Sequence, residues 1–481
     1  MYGLWTAAQI RDAEAAMMRT VPGEAIMRRA AFGLAVHARA MLAASGGVSG
    51  RHVVLLVGAG HNGGDALWAG YELRRRGVAV TAVLLVPDRA YEPGLAALRR
   101  AGGRVVGVEG TVAAAAVERA DLVVDGIVGI SGHSGVREPG ATLVAAAAAS
   151  GVPVLAVDLP SGVDTDTGQV HEPAVAASAT VTFGAHKPVH ALSAPRCGPV
   201  HLVDLGLDPH LPEPHARVLD AADVAARWPV PGPSDDKYSQ GVVGIAAGSA
   251  TYPGAAVLAV GAAALATSGM VRFAGTAVDA VHARWPEVVA TADLDGAGRT
   301  QAWTVGPGSG TDDAGRATLL AAVGRDVPLC LDADAITLLA QHADLRAAVR
   351  GRPVVLTPHD REFARLAGEV GPDRLAAVRR AAVQLGVTVL LKGHATVVAD
   401  PDGRALVHPS TGSWASTAGS GDVLAGIIGA LLAAGLEPWW AAGCAAYVHG
   451  RAAALAARGA PAPASALQAA IPDAIRAIRA E

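Results

Sequence analysis

The chain has 481 residues, more than one hydrophobic core of ordinary size accommodates, which favours two domains. Hydrophobic residues make up 51% of the chain but aromatic residues only 4%, a composition typical of Ala-rich helices packed on Val-rich strands. There are 39 Lys and Arg residues against 43 Asp and Glu residues, without a long run of one sign, so neither nucleic acid nor an anionic membrane is expected as the main partner.

The three cysteines, Cys197, Cys330 and Cys444, lie far apart in the sequence. Their spacing fits neither a metal site nor a disulfide framework, which favours a reducing compartment. The first residues carry charges where a signal peptide needs an apolar run, and the apolar stretches 253–271 and 423–436 are short or rich in small residues. We therefore expect a soluble, cytoplasmic protein without membrane spans.

The first half of the chain alternates Val-rich apolar runs with helical segments. Continuous apolar strands of this kind predict a parallel sheet covered by helices on both faces, which is an α/β fold. Ligands of such sheets bind at the carboxyl ends of the strands, so polar residues at those ends are the candidates for a site. The predicted strands are residues 52–60, 78–86, 103–108, 121–129, 152–162, 179–187 and 199–206.

A proline-rich stretch, residues 207–236, interrupts this alternation and marks the predicted domain boundary. We expect one domain over residues 1–213 and a second over residues 214–481. The second domain resumes the α/β alternation without a fixed-period repeat of the first, and it closes with three Ala-rich helical segments between Gly419 and Arg479. Its predicted strands are residues 241–249, 270–275, 302–310, 327–336, 353–359 and 387–400.

The first predicted strand runs through a glycine cluster into a helix. Glycines let a ligand approach the backbone, and the free N–H groups of a helix start favour an anion such as a phosphate. The alternative is an ordinary tight turn between strand and helix. Asn62 and Asp65 stand among the glycines, and an Asp opposes a phosphate, which favours a helix cap, ribose hydroxyls or a cation at Asp65. The glycines are Gly58, Gly60, Gly63 and Gly64.

Two more predicted strands end in polar side chains, Asp125 on one and Asp158 with Ser161 on the next. A single residue of this kind is usually a cap or a turn former, but three adjacent strand ends that carry them favour a shared, oxygen-lined site. Oxygen ligands without thiol or imidazole indicate an alkali or alkaline-earth ion rather than zinc. For Lys187 two interpretations stay open, contact with an anionic ligand or an exposed side chain.

The motifs GAGHNGGDA, DGIVGISGHSG, VAVDLPSGVDTDTG and TFGAHKP, in this order and spacing, resemble the NAD(P)H-hydrate epimerase domain from about residue 5 to about residue 212. The resemblance implies a Rossmann-like fold and a potassium ion held by Asn62, Asp125 and Ser161. It also implies that Asp158 is the acid/base beside the hydrated nicotinamide. The sequence departs from the family at His61, where a second Asn is usual, and at Ala66, where a Gly is usual. The implied hydrate contacts are His61, Asn62, Gly63, Gly64, Asp65, Gly129, Ile130, Ser131, Gly132, His133, Ser134, Gly135 and Asp158.

In the second domain, Gly419, Ser420, Gly421 and Asp422 precede a long apolar helix. The small residues leave N–H groups open at the helix start, which predicts an anion hole beside a carboxylate. Such a carboxylate can take a proton from a hydroxyl while the N–H groups hold the phosphoryl group that the hydroxyl attacks. The alternative is that Asp422 only caps the helix.

Other segments of the second domain place polar or small residues at strand ends or helix starts. Each could be a mere turn, and a lone His is more often structural than catalytic, but their joint occurrence favours a site. The residues are Gly254 and Ala255 at a helix start, Gly306 and Gly308, His359, and Lys392, Gly393 and His394, of which the last three suit nucleotide phosphates.

Together these segments resemble the ADP- or ATP-dependent NAD(P)H-hydrate dehydratase domain, a member of the ribokinase-like fold, from about residue 217 to the C-terminus. The patterns PGAA, GPG, TPH-x-x-EF, KG-x-x-T and G-x-GD-x-LAG carry the resemblance as a set. Departures are Asp236, where a His often precedes Lys237, and Arg361, where a Gly is usual. The implied hydrate contacts are Ala255, Gly308, His359 and Asp422, and the implied nucleotide contacts are Lys392, Gly393, His394, Ala395, Thr396 and Gly421.

The two resemblances imply an enzyme that repairs hydrated NADH and NADPH, called NADHX and NADPHX. The first domain would interconvert the R and S hydrates at C6, and the second would dehydrate the S hydrate while ADP becomes AMP and phosphate. Potassium for the first domain, magnesium with ADP for the second, and a homo-oligomer are expected. Two alternatives stay open: a ribokinase-like small-molecule kinase fused to a nucleotide-binding domain, and a first domain that is a non-catalytic binding module.

Overall fold

The computed structural model describes residues 1–108, 111–132, 134–409, 412–414 and 416–480. The chain divides into two compact units, one formed by residues 3–216 and the other by residues 1–2 with 217–481. Each unit is built around its own sheet with helices along it, which confirms the predicted α/β fold class.

After a short initial strand, β1 (Tyr2–Leu4), seven strands form the sheet of the first unit. They are β2 (His52–Val57), β3 (Ala79–Leu84), β4 (Arg104–Val106), β5 (Leu122–Gly126), β6 (Val154–Val157), β7 (Ala179–Phe183) and β8 (Val200–Val203). Their order is β4-β3-β2-β5-β6-β7-β8, and every neighbouring pair is parallel. Each predicted strand of this half contains one of the seven, so the predicted parallel sheet is confirmed.

The helices of the first unit are α1 (Ala7–Met17), α2 (Gly23–Ala44), α3 (His61–Arg74), α4 (Glu92–Arg100), α5 (Val112–Glu118), α6 (Gly140–Ser150), α7 (Pro188–Leu192) and α8 (Ala194–Cys197). Apolar side chains cover both faces of the sheet. Val53 and Leu55 of β2 pack in the cluster that holds α2, α3 and α4, whereas Val54 and Leu56 pack in the cluster of α5 and α6. Because successive side chains of a strand point to opposite faces, a strand buried on both faces is apolar throughout.

The turn from β2 into α3 requires glycine at two positions. A Cβ atom on Gly58 would collide with the carbonyl oxygen of Ile127, and one on Gly63 would collide with the carbonyl oxygen of Gly58. Only the absence of side chains lets the start of α3 lie this close to the end of β5. This close approach positions the polar residues of α3 beside those that follow β5 and β6.

The remaining strands belong to the sheet of the second unit. They are β9 (Ala216–Val218), β10 (Val242–Ala246), β11 (Met270–Ala274), β12 (Val289–Thr291), β13 (Ala302–Val305), β14 (Leu329–Leu331), β15 (Val354–Leu356), β16 (Thr388–Leu391), β17 (Ala395–Ala399) and β18 (Ala405–Pro409). The order is β1-β9-β18-β17-β16-β15-β14-β13-β10-β11-β12. Neighbouring strands are parallel across the stretch β16-β15-β14-β13-β10-β11-β12, whereas β17 is antiparallel to both β16 and β18.

The helices of the second unit are α9 (Ala221–Arg227), α10 (Pro253–Ala266), α11 (Val278–Arg284), α12 (Asp313–Val323), α13 (Asp334–Gln341), α14 (Ala343–Val349), α15 (Asp360–Ala367), α16 (Arg374–Leu385), α17 (Ser420–Ala433), α18 (Pro438–Ala457), α19 (Ala464–Ala469) and α20 (Ile471–Ala480). Every residue of α17 from 423 to 433 is buried, which explains why that helix is apolar on all sides. A Cβ atom on Gly429 would collide with Thr304, so α17 lies directly on β13.

Two predictions for the second unit are wrong. Residues 387–400, expected as one strand, form the antiparallel pair β16 and β17, because Lys392, Gly393 and His394 form a turn between two buried strands. The C-terminal part from residue 420 onward forms four helices, not three, since α19 ends at Ala469 and α20 begins at Ile471.

The three cysteines are buried and free. Among the described residues, no helix combines the length and the apolar character that a membrane crossing requires.

Candidate active sites

The first unit contains a cavity of about 350 Å³ that opens where β2, β5 and β6 end. Nine of the residues singled out in the sequence line it, so polar groups from separate strand ends are brought together. These nine are Gly60, His61, Asn62, Asp65, Gly129, Ile130, Ser131, Asp158 and Lys187. The remaining lining residues are mainly apolar and include Met18, Ile26, Met27, Tyr91 and Phe183, together with one more acid, Glu14. A cavity with apolar walls and few polar groups is typical of a small-molecule site.

Asp158 and Lys187 form a buried ion pair in this cavity. The Lys187 ammonium donates to Asp158 Oδ1 at 2.5 Å, and its side chain is only 1% exposed. The interpretation of Lys187 as an exposed side chain is therefore wrong. Asp158 has a φ of 70°, a left-handed conformation uncommon for a residue other than glycine. Thr182 Oγ1 donates to Asp158 Oδ1 at 2.9 Å, and His190 Nε2 donates to the carbonyl oxygen of Asp158.

Asp125 and Ser161 lie in direct contact behind the cavity. The Ser161 hydroxyl donates to Asp125 Oδ1 at 2.7 Å and the Ser161 N–H donates to Oδ2 at 2.8 Å. Asn62 donates from Nδ2 to the carbonyl oxygens of Val157 and Val128, the residues that end β6 and follow β5. The three predicted oxygen-bearing side chains thus come from adjacent strand ends of the sheet.

Burial raises the pKa of Asp125, which is fully buried, although the bonds from Ser161 and Ile127 oppose the shift. Among the described residues, no Lys or Arg forms a salt bridge with Asp125. A buried carboxylate without a cationic neighbour is costly unless a cation or a proton neutralises it.

The pKa values of two further acids of the cavity are raised. Burial, and then the charges of Asp158 and Glu14, raise the pKa of Asp65 well above its ordinary value. Burial also raises the pKa of Glu14, with Lys187 opposing the shift and Asp158 adding to it. Glu14 lies on α1 and follows no predicted strand, so the search for polar strand ends missed it.

Some of the predicted contact residues lie elsewhere. Gly64 faces Met27 and Tyr91, which line the cavity, whereas Gly63 lies against the backbone of the turn before α3. Gly132, Ser134 and Gly135 do not line the cavity: a Cβ atom on Gly135 would meet the carbonyl oxygen of Glu172 at 2.7 Å, away from it. His133 lies outside the described residues.

In the second unit, Asp422 lies in the first turn of α17. The cap residue of this helix is Gly419, with a φ of 89° and no side-chain cap bond, so the interpretation of Asp422 as a helix cap is wrong. Burial, and then the negative charge of Asp332, raise the pKa of Asp422 to about 7, while Lys392 opposes the shift. The carboxyl group of Asp422 therefore changes charge near neutral pH. It lies at the start of a helix, where free N–H groups favour anions.

Asp332, which the sequence search missed, forms an ion pair with Lys392. It is 1% exposed, and its Oδ1 accepts bonds at 2.7 Å from both Lys392 Nζ and Thr357 Oγ1. Burial alone would lower the pKa of Lys392, but Asp332 and Glu362 raise it. A Cβ atom on Gly421 would lie 3.2 Å from Lys392 Nζ, so the ammonium reaches the glycine-rich start of α17. Asp332 directly follows β14, and this is the signal that could have found it.

His359 caps α15 rather than lying free at a strand end. Its Nδ1 accepts the N–H groups of Arg361 and Glu362, and Glu362 in turn accepts the His359 N–H at 2.9 Å. The ring is half exposed and its Nε2 lies 3.5 Å from Glu362 Oε1. Glu362 also lies 3.9 Å from Lys392 Nζ, so His359 is linked to the Asp332–Lys392 pair.

The predicted nucleotide contacts Lys392 to Thr396 form the turn between β16 and β17 and the first residues of β17. Arg374 supports this turn from below, donating to the carbonyl oxygens of Lys392 and Ala395, and a side chain on Gly393 would collide with its guanidinium. Arg374 lies at the start of α16, far from any motif.

Ala255 and Gly308, the other two predicted hydrate contacts, lie side by side. Gly308 has a φ of 61°, and a Cβ atom there would lie 3.0 Å from Ala255 Cβ and 3.1 Å from Tyr252 Cβ. The absence of a side chain at Gly308 therefore lets its backbone pack against Ala255 and Tyr252, whose ring is exposed.

Two family models match the chain. One, described as NAD(P)H-hydrate dehydratase, matches residues 243–474, and the other, described as YjeF-related protein N-terminus, matches residues 23–189. Among solved structures, a ribokinase-like superfamily protein of Enterococcus faecalis V583 has a TM-score of 0.51 at 24% identity and covers 55% of this chain and 96% of its own. This likeness shows a ribokinase-like fold for that part of the chain.

Curated relatives are similar over nearly the whole length. The bifunctional NAD(P)H-hydrate repair enzyme Nnr of Mycobacterium leprae is 56% identical over 455 residues, which are 94% of each chain. The protein of the same name from Mycobacterium tuberculosis (strain ATCC 25618 / H37Rv) is 58% identical over 431 residues, 89% of this chain and 88% of its own.

Proposed function

The chain belongs to the family of bifunctional NAD(P)H-hydrate repair enzymes, and we propose that it returns hydrated NADH and NADPH to the intact cofactors by two activities. Residues 1–213 would interconvert the R and S hydrates at C6, and residues 214–481 would dehydrate the S hydrate with ADP as phosphoryl donor. The observation that carries the proposal is the Asp422 carboxylate, with a pKa of about 7, at the glycine-rich start of α17. A general base works best when its pKa lies near the working pH.

In the first unit, the hydrated nicotinamide would lie in the 350 Å³ cavity against Asp158. Lys187 neutralises the buried carboxylate, and the bonds from Thr182 and His190 fix its position. Asp158 then serves as the group that takes and returns the proton of the C6 hydroxyl. Of the hydrate contacts implied by the sequence, His61, Asn62, Asp65 and residues 129–131 are supported by their place in the cavity wall.

The first unit would bind a potassium ion through Asn62, Asp125 and Ser161. The residues fit this ion, because Asp125 is a fully buried carboxylate without a cationic partner among the described residues, and its neighbours supply neutral oxygens. A monovalent cation held by oxygen ligands removes the cost of that buried charge. Its chemical contribution would be to fix the loops after β5 and β6 that carry the cavity wall.

In the second unit, Asp422 would remove the proton of the C6 hydroxyl as that oxygen attacks the terminal phosphoryl group of ADP. Lys392 and the N–H groups at the start of α17 would stabilise the negative charge of the phosphoryl group in the transition state. The phosphoryl transfer releases AMP. Phosphate is a far better leaving group than hydroxide, so loss of phosphate from C6 and of a proton from C5 restores the ring double bond. Ala255, Gly308 and His359 would contact the hydrate, and Lys392 to Thr396 with Gly421 the nucleotide.

Magnesium would accompany ADP rather than occupy a site made by the protein alone. The described residues hold no cluster of three His, Cys, Asp or Glu side chains that could bind a metal. Magnesium commonly keeps several waters and binds through substrate phosphates. We also propose a cytoplasmic location and a homo-oligomeric assembly.

The decisive experiment incubates the full chain with a mixture of R and S hydrates, ADP and magnesium, and follows the absorbance of the reduced nicotinamide. Complete conversion with release of AMP and phosphate supports both activities, whereas conversion of the S hydrate alone excludes the epimerase. A stable phosphorylated product would indicate the kinase, which the comparisons do not favour.

Potassium dependence is tested by the exchange of the R and S hydrates in buffers with and without potassium. We expect the wild-type rate to fall when sodium replaces potassium, and the Asn62→Ala rate to fall further and recover in part at high potassium. Equal wild-type rates in the two buffers would contradict the potassium site.

A further inference from the structure

Epimerisation needs a proton donor as well as a base, and Lys187 is the obvious cation of the first cavity. Its ammonium, however, has acceptors at four positions: Asp158 Oδ1, Thr182 Oγ1 and the carbonyl oxygens of Phe183 and Ala185, all within 3.2 Å. An ammonium has only three N–H groups. Lys187 is therefore saturated by the protein and has no N–H left for a ligand.

Glu14 is an acid of the same cavity without an assigned role. It lies on α1, where Ile10, Ala13 and Met17 pack into the core, and this packing directs the neighbouring Glu14 into the cavity wall. The Ala7 N–H donates to Asp166 at 2.7 Å, which fixes the start of the helix. Helix α1 lies outside residues 23–189, the range of the matching family model.

The surroundings of Glu14 raise the pKa of its carboxyl group. Its charged and titratable neighbours are Lys187, Asp158, His61 and Arg11, with Asp65 on the same cavity wall. The short turn that packs against α1 adds Asp208 and His210, both exposed. Lys187 is paired with Asp158, so burial prevails and the pKa of Glu14 is raised. Glu14 is partly exposed, and a proton that it gives up can be replaced from solvent.

We propose that Glu14 is a second catalytic residue of the first unit and gives a proton to the substrate while Asp158 takes one. This inference rests on the proposed epimerase function. In the hydrate, C6 carries the hydroxyl and is bonded to the ring nitrogen N1. Asp158 takes the hydroxyl proton, the C6–N1 bond breaks as the C6 carbonyl forms, and the electron pair stays on N1, which takes the proton of Glu14. The aldehyde turns over, and the reverse steps close the ring on the other face and restore both carboxyl groups.

The test uses the full chain without ADP, which leaves the dehydratase inactive. The substrate is the R hydrate, purified away from the S hydrate beforehand, and chromatography measures the appearance of S above the uncatalysed rate. Glu14→Gln should lower kcat about a hundredfold, the lower range for removal of a general acid, with KM little changed. Glu14→Asp keeps an acid and should recover at least about a tenth of the wild-type rate. Glu118→Gln, on the exposed end of α5, is the matched control and should match wild type.

A pH profile separates catalysis from a structural role. The wild-type rate should fall at high pH as Glu14 loses its proton, and this fall should be absent in Glu14→Gln. An unchanged kcat, or a raised KM alone, would overturn the proposal. So would a result in which the rate of Asp65→Asn no longer falls at high pH while the rate of Glu14→Gln still does. If Glu14→Gln does not fold, Glu14→Asp is measured in its place. The pH at which its rate falls should differ from that of wild type, and an unchanged pH overturns the proposal. If wild type fails to exchange the epimers, the proposed function itself fails.

Discussion

Replacing Asp422 with Asn tests the proposed dehydratase mechanism most directly. Asn has nearly the same shape, cannot accept the proton of the hydroxyl, and leaves the Gly419 cap of α17 untouched. Dehydration of the S hydrate should fall at least about a hundredfold, the lower range for loss of a general base. Exchange of the R and S hydrates should continue at the wild-type rate, because Asp158 and Lys187 belong to the other unit.

The pKa of Asp422 sets the expected pH profile of the wild-type enzyme. With a pKa of about 7, the carboxyl group is about one tenth ionised at pH 6 and about nine tenths ionised at pH 8. Dehydration under saturating ADP should therefore rise about tenfold between these values, and the small residual activity of Asp422→Asn should lack this rise. The assay is the initial rate of absorbance increase of the reduced nicotinamide.

Stability distinguishes loss of the base from loss of the fold. Because burial raises the pKa of Asp422 in the folded chain, the unfolded chain releases this proton at lower pH, and stability is lost as pH rises between the two pKa values. Asp422→Asn removes this loss, so it should melt at a higher temperature than wild type at pH 8, with a smaller difference at pH 5. Asp279→Asn, an exposed acid in the first turn of α11, is the matched control. Dehydration within about threefold of wild type at pH 8 would refute the role of Asp422.

Two further variants test the ion pairs of the sites. Asp332→Asn removes the negative charge that raises the pKa of Asp422 and frees Lys392 to face it, so the rise of dehydration with pH should move to lower pH; an unmoved profile would contradict this coupling. Lys187→Met leaves the Asp158 carboxylate buried and unpaired, and urea unfolding should show a loss of about 3–5 kcal/mol at pH 8 with a smaller loss at pH 5. Unfolding within about 0.5 kcal/mol of wild type would contradict a stabilising role for the pair.

The sequence revealed the strands because most of them are buried on both faces. Val-rich runs such as residues 53–57 are apolar throughout, and this local pattern needs no tertiary information. The prediction of one strand failed at residues 387–400, since Lys392, Gly393 and His394 interrupt the apolar run and form the turn between two buried strands. Whether two strands pair parallel or antiparallel depends on contacts between them, and the apolar pattern within each strand does not indicate it.

The site residues divide in the same way. Asp125, Asp158 and Asp422 could be found from the sequence, because each stands beside glycines or at the end of an apolar run, and parallel strands bring such ends to one edge. Only the tertiary structure decided that Lys187 is buried against Asp158, since that ion pair joins residues 29 positions apart. Glu14 likewise reaches the first cavity through the packing of α1, not through a motif.

The sequence by itself therefore determined the α/β class, the resemblance to two known domains and the acids at the strand ends, because short-range patterns and spacing carry all three. The tertiary structure alone decided the charge states, such as the pKa of about 7 for Asp422. A pKa depends on burial and on charges from distant parts of the chain, here Asp332 and Lys392, and these are properties of the folded arrangement.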